Sequence, residues 1–140
     1  MNIVFATASQ LAQMIRDKEV SVVEVLNAYL NQIEKHNDRI NAIATLDTER
    51  AKQRAVEADE ALAKKENWGA LHGVPVTIKD TIETAGLLTT AGYRELKNYI
   101  PQQDAIASSL RWIVFWLTGM LIFVPYQVSQ HFPINLKENQ

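Results

Sequence analysis

The sequence of 140 residues contains no cysteine. Disulfide bonds, iron–sulfur clusters, thiolate nucleophiles and cysteine-based zinc sites are therefore excluded. Three histidines, His36, His72 and His131, are widely spaced along the chain and form no metal-ligand motif. Glycine is scarce as well, and its four positions before residue 100 match neither phosphate-cradling pattern, GxxxxGKS or GxGxxG. We therefore expect neither a metal nor a cofactor.

The chain also lacks an excess of charge of one sign. Fourteen basic and sixteen acidic residues give a formal net charge of -2. This balance produces no strong field, so we expect no nucleic-acid partner and no attraction to an anionic membrane. With 47% hydrophobic and 21% charged residues, the composition is typical of one globular domain.

Targeting signals are missing from the first residues, which have neither a basic segment nor an apolar run of about 7–15 residues, so a cytoplasmic location is expected. Charge is absent from residues 112–136, which contain six of the eleven aromatic side chains. We therefore divide the chain into residues 1–111 and a divergent hydrophobic tail, residues 112–140. The uncharged apolar run at the start of this tail is shorter than the roughly 17–25 residues that span a bilayer as a helix.

Helical patterns occupy most of the first 65 residues. Two capping-box spacings, Thr-x-x-Gln and Ser-x-x-Glu, predict helices over residues 8–18 and 22–36, the second ending at Asn37-Asp38. Asp47 or Thr48 can cap a third helix, whose alanine-rich face predicts packing against one neighbour.

Two short apolar runs, Ile40–Leu46 and Val74–Ile78, have the length and β-branched content of strands. Helices mixed with strands predict an α/β fold. The second run ends at Lys79-Asp80, and the ends of buried strands commonly bind ligands in such folds. The polar, glycine-containing stretch that follows it is suited to loops lining a cleft.

Lys79 is the main candidate for catalysis. A lysine at the end of an apolar strand can lose enough hydration to become partly neutral and act as a base. The alternative is a solvated lysine with Asp80 as its counter-ion. The residue pattern alone leaves both interpretations open.

Three other residues carry weaker signals. His72 could act as a general base, but beside Gly73 it is better interpreted as a hydrogen-bonding loop residue. Ser108 and Ser109 are adjacent hydroxyls without a glycine-rich turn to supply donors for an oxyanion, so we interpret them as ordinary serines.

A long run of sequence resembles the amidase signature family. It reads GALHGVPVTIKDTIETAG over residues 69–86, then TTAGY at 89–93 and NYIPQQDA at 98–105. The resemblance covers about residues 6–110. It implies an α/β fold in which a mixed sheet is covered by helices, and to which this chain contributes the N-terminal helices and first strands of an incomplete fold.

The resemblance also implies hydrolysis of small-molecule carboxylic amides by a Ser–cis-Ser–Lys triad. Lys79 occupies the position of the lysine base, in an apolar environment that the Val74–Ile78 strand would supply. The loop from Thr89 to Tyr93 would line the substrate cleft. Stand-alone amidases are the better match, and an amidotransferase of the glutamyl-tRNA type is the alternative.

The sequence departs from the family after Asp104. Family members are several times longer, and their Gly- and Ser-rich segment, which carries both serines of the triad, has no counterpart here. We therefore expect an inactive fragment with an out-of-frame or rearranged tail. The alternatives are a tail buried on the partial fold, or a short non-enzymatic protein whose tail contacts a membrane or a partner.

Overall fold

A computed structural model describes residues 2–106 of the chain. Three α-helices form its core: α1 (Ala8–Arg16), α2 (Val22–Ile40) and α3 (Thr48–Ala63). Short 3-10 turns lie at Ile3–Phe5 and Arg94–Leu96. The hydrophobic tail, and with it every prediction about residues 112–140, lies outside the described residues.

Side-chain caps fix where the helices begin. Both predicted capping boxes are present: Thr7 pairs with Gln10 at the start of α1, and Ser21 pairs with Glu24 at the start of α2. The hydrogen bonds from Ser21 hold the pKa of Glu24 below its usual value. Asp47 caps α3 by accepting a hydrogen bond from the backbone N–H of Arg50. These caps satisfy N–H groups that have no partner inside a helix.

The predicted end of α2 at Asn37-Asp38 is wrong, and so is the predicted strand at 40–46. Helix α2 continues to Ile40 and ends at Asn41, which adopts a left-handed conformation with φ 50°. The Asn37 side chain explains the difference, because it accepts from the N–H of Ile43 and donates to its carbonyl. These two bonds occupy the backbone of Ile43 that a neighbouring strand would need, and residues 41–47 form no strand.

The hydrophobic core lies where the three helices meet. Its buried members are Leu11, Ile15, Val22, Val25, Leu26, Ala55 and Ala58. The small alanines of α3 allow close approach to α2, as the alanine-rich face predicts. Asp59 adds a polar link between these two helices, because its carboxylate accepts from the N–H groups of Val22 and Val23 at 2.8 and 3.2 Å.

The predicted strand at Val74–Ile78 is not formed within residues 2–106, and this part of the chain contains no strand at all. A strand exists only when its backbone pairs with a second one. Within the described residues, the backbone N–H and C=O groups from Val76 to Ile78 have no hydrogen-bond partner. The described part of the chain is therefore helices followed by loops, without the expected mixed sheet.

Gly73 is the point where the loops meet the helical core. It adopts φ +74°, and a Cβ at this position would overlap the side chain of Val22. Gly92 has nearly the same φ, +75°, but no atom lies within 4 Å of the position that its Cβ would take. The two glycines thus have the same backbone constraint and different packing.

Replacing each glycine by alanine separates these two effects. We expect Gly92→Ala to lower the free energy of unfolding by about 1 kcal/mol, because alanine resists the left-handed conformation. Gly73→Ala should cost about 1–3 kcal/mol more, because the added methyl overlaps Val22. Urea unfolding followed by the helical circular dichroism signal measures both losses. Equal losses would contradict the packing role of Gly73.

Candidate functional site

His72 fixes the loop that leads from α3 towards the candidate lysine. Its side chain is fully buried, with 0% exposure. Nε2 lies 2.9 Å from the carbonyl oxygen of Ala58, and Nδ1 accepts from the N–H of Trp68 at 3.0 Å. Both ring nitrogens are therefore occupied by backbone groups, with the ring proton on Nε2. His72 is a hydrogen-bonding loop residue, as expected, and has no nitrogen left to act as a general base.

Two arginines bind the same loop from the helices. Arg16 of α1 donates to the carbonyl oxygen of Ala70 at 2.9 Å. The guanidinium of Arg54, on α3, lies 3.9 Å from the ring centroid of Trp68, a cation–π contact. The Trp68 and His72 rings are 5.0 Å apart. The loop from Trp68 to Gly73 is thus held by helices on two sides, which gives the next segment a fixed starting point.

Lys79 follows that segment and is exposed to solvent. Its carbonyl oxygen accepts from the N–H of Ile82 at 2.9 Å, which closes a turn. Its ammonium group makes no hydrogen bond or ion pair with any described residue. The expectation that Val74–Ile78 surrounds Lys79 with apolar side chains is wrong for residues 2–106, because an unpaired segment has no sheet face to bury the lysine.

Asp80 does not act as the counter-ion of Lys79. Its carboxylate instead binds Thr90, accepting from the backbone N–H at 2.9 Å and from the hydroxyl at 2.6 Å. Its carbonyl oxygen accepts from the N–H of Ala91 at 3.3 Å. Asp80 therefore joins the turn after Lys79 to a loop ten residues later.

The loop from Thr89 to Tyr93 uses its own backbone donors internally. The N–H groups of Thr90 and Ala91 bind Asp80, that of Gly92 binds the Thr90 hydroxyl, and that of Tyr93 binds the Thr90 carbonyl. No backbone donor from Thr90 to Tyr93 remains for an oxyanion. The Tyr93 side chain is 65% exposed, so this loop can contact a ligand through side chains and carbonyl groups.

Backbone hydrogen bonds close the chain between residues 83 and 105. The pairs are Ala105 N–H to Glu83 carbonyl, Gly86 N–H to Pro101 carbonyl and Thr89 N–H to Tyr99 carbonyl, at 2.9–3.0 Å. The Asp104 carboxylate also accepts from the N–H of Ala85 at 2.8 Å. Arg50 of α3 binds the carbonyl oxygen of Ala85 at 3.2 Å. These bonds make one closed loop that is docked on α3.

Glu83 and Tyr99 lie on the two arms of this closed loop. The Tyr99 hydroxyl donates to the Glu83 carboxylate at 2.7 Å, and this bond raises the pKa of Tyr99. Thr90 and Asp104 are the two partners that sequence reasoning missed. The hydroxyl of Thr90, just before Ala91-Gly92, is the one local signal for a loop-stabilising side chain.

Other kinds of site find little support in the described part of the chain. Residues 2–106 contain no group of acidic or histidine side chains that could hold a metal ion. None of the helices described there is long and apolar enough to cross a membrane. A groove of about 430 Å³ lies between α2 and α3, lined in part by Leu30, Ile33 and Leu46, and contains no candidate residue. Ser108 and Ser109 lie outside the described residues.

Comparison with known proteins gives one consistent family. The Amidase family model matches residues 24–111. The A-type component of the glutamyl-tRNA(Gln) amidotransferase of Carboxydothermus hydrogenoformans is 41% identical over 105 residues, which are 75% of this chain and 22% of that protein. The component of the same name from Thermoanaerobacter pseudethanolicus is 40% identical over 105 residues, 75% of this chain and 21% of that protein.

A solved structure with a similar fold is a bacterial aryl acylamidase of the amidase signature enzymes. It superposes with a TM-score of 0.68 at 24% sequence identity, over 72% of this chain and 21% of that one. The chain therefore spans about a fifth of the length of the relatives that it matches.

The structural role of His72 is testable by comparison with His36, which makes no hydrogen bond in the described structure. His72→Ala leaves the N–H of Trp68 without its partner and opens a cavity, so we expect the free energy of unfolding to fall by about 3 kcal/mol. His36→Ala should cost less than about 1 kcal/mol. Urea unfolding of both variants provides the measurement, and similar losses would refute the role assigned to His72.

Proposed function

Since this chain belongs to the amidase signature family, we propose that it carries the lysine base of an enzyme that hydrolyses carboxylic amides. Lys79 is that base. The observation that carries the proposal is the state of Lys79 itself: its backbone is fixed by a turn, and its amine has no ion-pair partner among residues 2–106. The neighbouring carboxylate, which could have held the amine as an ammonium, binds Thr90 instead.

The proposed mechanism assigns one proton path to the lysine. Neutral Lys79 accepts a proton from a bridging serine, which in turn takes the proton of the nucleophilic serine. The nucleophile attacks the amide carbonyl, the proton passes to the leaving nitrogen, and water later hydrolyses the acyl-enzyme. After Lys79 the sequence has only Ser108, Ser109 and Ser129, none of them in a Gly- and Ser-rich setting. The chain therefore supplies the base, and the two serines belong to the rest of an amidase domain.

A second candidate is the same chemistry within an amidotransferase. The curated relatives named above are components of glutamyl-tRNA(Gln) amidotransferases, which favours this assignment over the stand-alone amidase predicted from the sequence. In the first case the substrate is a small free amide. In the second, the enzyme releases ammonia from an amide for transfer. Lys79 has the same role in both.

Chimaeras distinguish the two candidates. Residues 6–110 of this chain would replace the matched region of the Carboxydothermus hydrogenoformans protein, assembled with its native partners, and in parallel that of the aryl acylamidase. Release of ammonia from glutamine by the first chimaera alone supports the amidotransferase role. Hydrolysis of an aryl acylamide by the second chimaera alone supports the stand-alone amidase. If both soluble chimaeras were inactive, the proposed function would be wrong.

Substitution of Lys79 tests its role in whichever chimaera is active. Lys79→Ala should reduce kcat by about a thousandfold or more, because no other group on the chain can accept the proton. Lys35→Ala is the matched control, since Lys35 is also exposed but lies on α2. It should leave kcat unchanged. A Lys79→Ala variant with normal kcat would remove Lys79 from the mechanism.

A further inference from the structure

The bond between Asp80 and Thr90 has a feature that the closed loop does not require. The arms of that loop, residues 83–89 and 99–105, are already joined by three backbone bonds and by Asp104. The carboxylate of Asp80 adds two bonds to a single residue, at 2.6 and 2.9 Å, outside these arms. A third bond joins the Asp80 carbonyl to Ala91. These three contacts fix the residue that directly follows Lys79.

The backbone of Lys79 is held from both directions as a result. On one side its carbonyl accepts from Ile82. On the other, Asp80 is attached to the loop that carries the exposed Tyr93. The side chain of Lys79 is long and flexible, so the position of its amine depends on where its Cα is fixed. A shift of that Cα would move the amine relative to any group that must exchange a proton with it.

Both carboxylate oxygens of Asp80 are used by this contact. One accepts from the backbone N–H of Thr90 and the other from its hydroxyl. Bonds to an ionised carboxylate are among the stronger hydrogen bonds of proteins. The same geometry therefore turns the carboxylate away from the adjacent amine of Lys79 and attaches the lysine turn to the loop.

We propose that Asp80 and Thr90 are positioning residues, which hold the turn of Lys79 against the loop from Thr89 to Tyr93 so that the amine reaches its serine partner. This inference rests on the role of Lys79 proposed above. Neither residue touches the reacting atoms. The pair acts through the backbone of Lys79, and it also places the lysine and the Tyr93 side chain in one fixed arrangement.

The test uses the active chimaera and three substitutions. Thr90→Val removes the hydroxyl and keeps the shape of the side chain, so kcat should fall about 10- to 100-fold with a change in KM of less than about twofold. Thr90→Ser keeps the hydroxyl and should retain kcat to within about threefold. Thr45→Val is the matched control: Thr45 is exposed in the segment between α2 and α3, and its loss should change neither constant.

Each outcome decides between the two proposals. A normal kcat in Thr90→Val, with Lys79→Ala inactive, overturns the positioning role and leaves the base intact. A normal kcat in Lys79→Ala overturns the proposed function itself. If circular dichroism shows that Thr90→Val does not fold, Asp80→Asn replaces it, because asparagine keeps one acceptor oxygen. A fall in kcat of about threefold or more at constant KM then supports the proposal, and an unchanged kcat overturns it.

Discussion

A buried imidazole is the constraint on which the arrangement of the loops depends. Helices α1 to α3 pack through apolar side chains, but the chain after α3 has few large buried residues of its own. His72 replaces them with two backbone hydrogen bonds, to Ala58 in α3 and to Trp68 in the loop. Because His72 is fully buried, these bonds lie away from competing water and are costly to break. The position of Gly73 against Val22 follows directly from them.

Beyond Gly73 the structure is stabilised by polar contacts instead of an apolar core. Thr84 and Thr89 are buried, and each hydroxyl donates to the carbonyl two residues earlier, to Ile82 and Leu87 respectively. Backbone pairs and the carboxylates of Asp80 and Asp104 complete the closure. Such bonds have direction, so they fix one arrangement of a loop where apolar contacts would allow several. This explains how a stretch without regular secondary structure can hold a lysine turn in place.

The helix starts could be read from the sequence because they depend on local chemistry. A hydroxyl and an amide or carboxylate three residues apart satisfy the first N–H groups of α1 and α2 wherever the rest of the chain lies. The strands could not be read in this way. Ile40–Leu46 has a strand-like composition, yet the Asn37 side chain occupies the backbone of Ile43. Val74–Ile78 needs a partner strand that residues 2–106 do not provide, and composition cannot reveal a missing partner.

The candidate site shows the same division. The sequence pointed to Lys79 through its place after an apolar run, and the resemblance to a family gave it a role. Thr90 was not predicted as the partner of Asp80, because the contact spans ten residues and depends on the two turns between them. His72 was correctly interpreted from its glycine neighbour. Local pattern thus identifies residue types, whereas long-range hydrogen bonds decide which of them act together.

The geometry around Lys79 separates two requirements of a lysine base. An amine accepts a proton only when it is neutral, and removal from water favours the neutral form. Residues 2–106 leave Lys79 exposed, so they meet the first requirement, a fixed backbone position, without the second. The chain spans about a fifth of its relatives, and the serines that would exchange protons with Lys79 belong to the remainder. In the proposed enzyme the same remainder would both cover the amine and supply its partner. The lysine would therefore become a base only when the serines are in place, which couples assembly of the site to its activation.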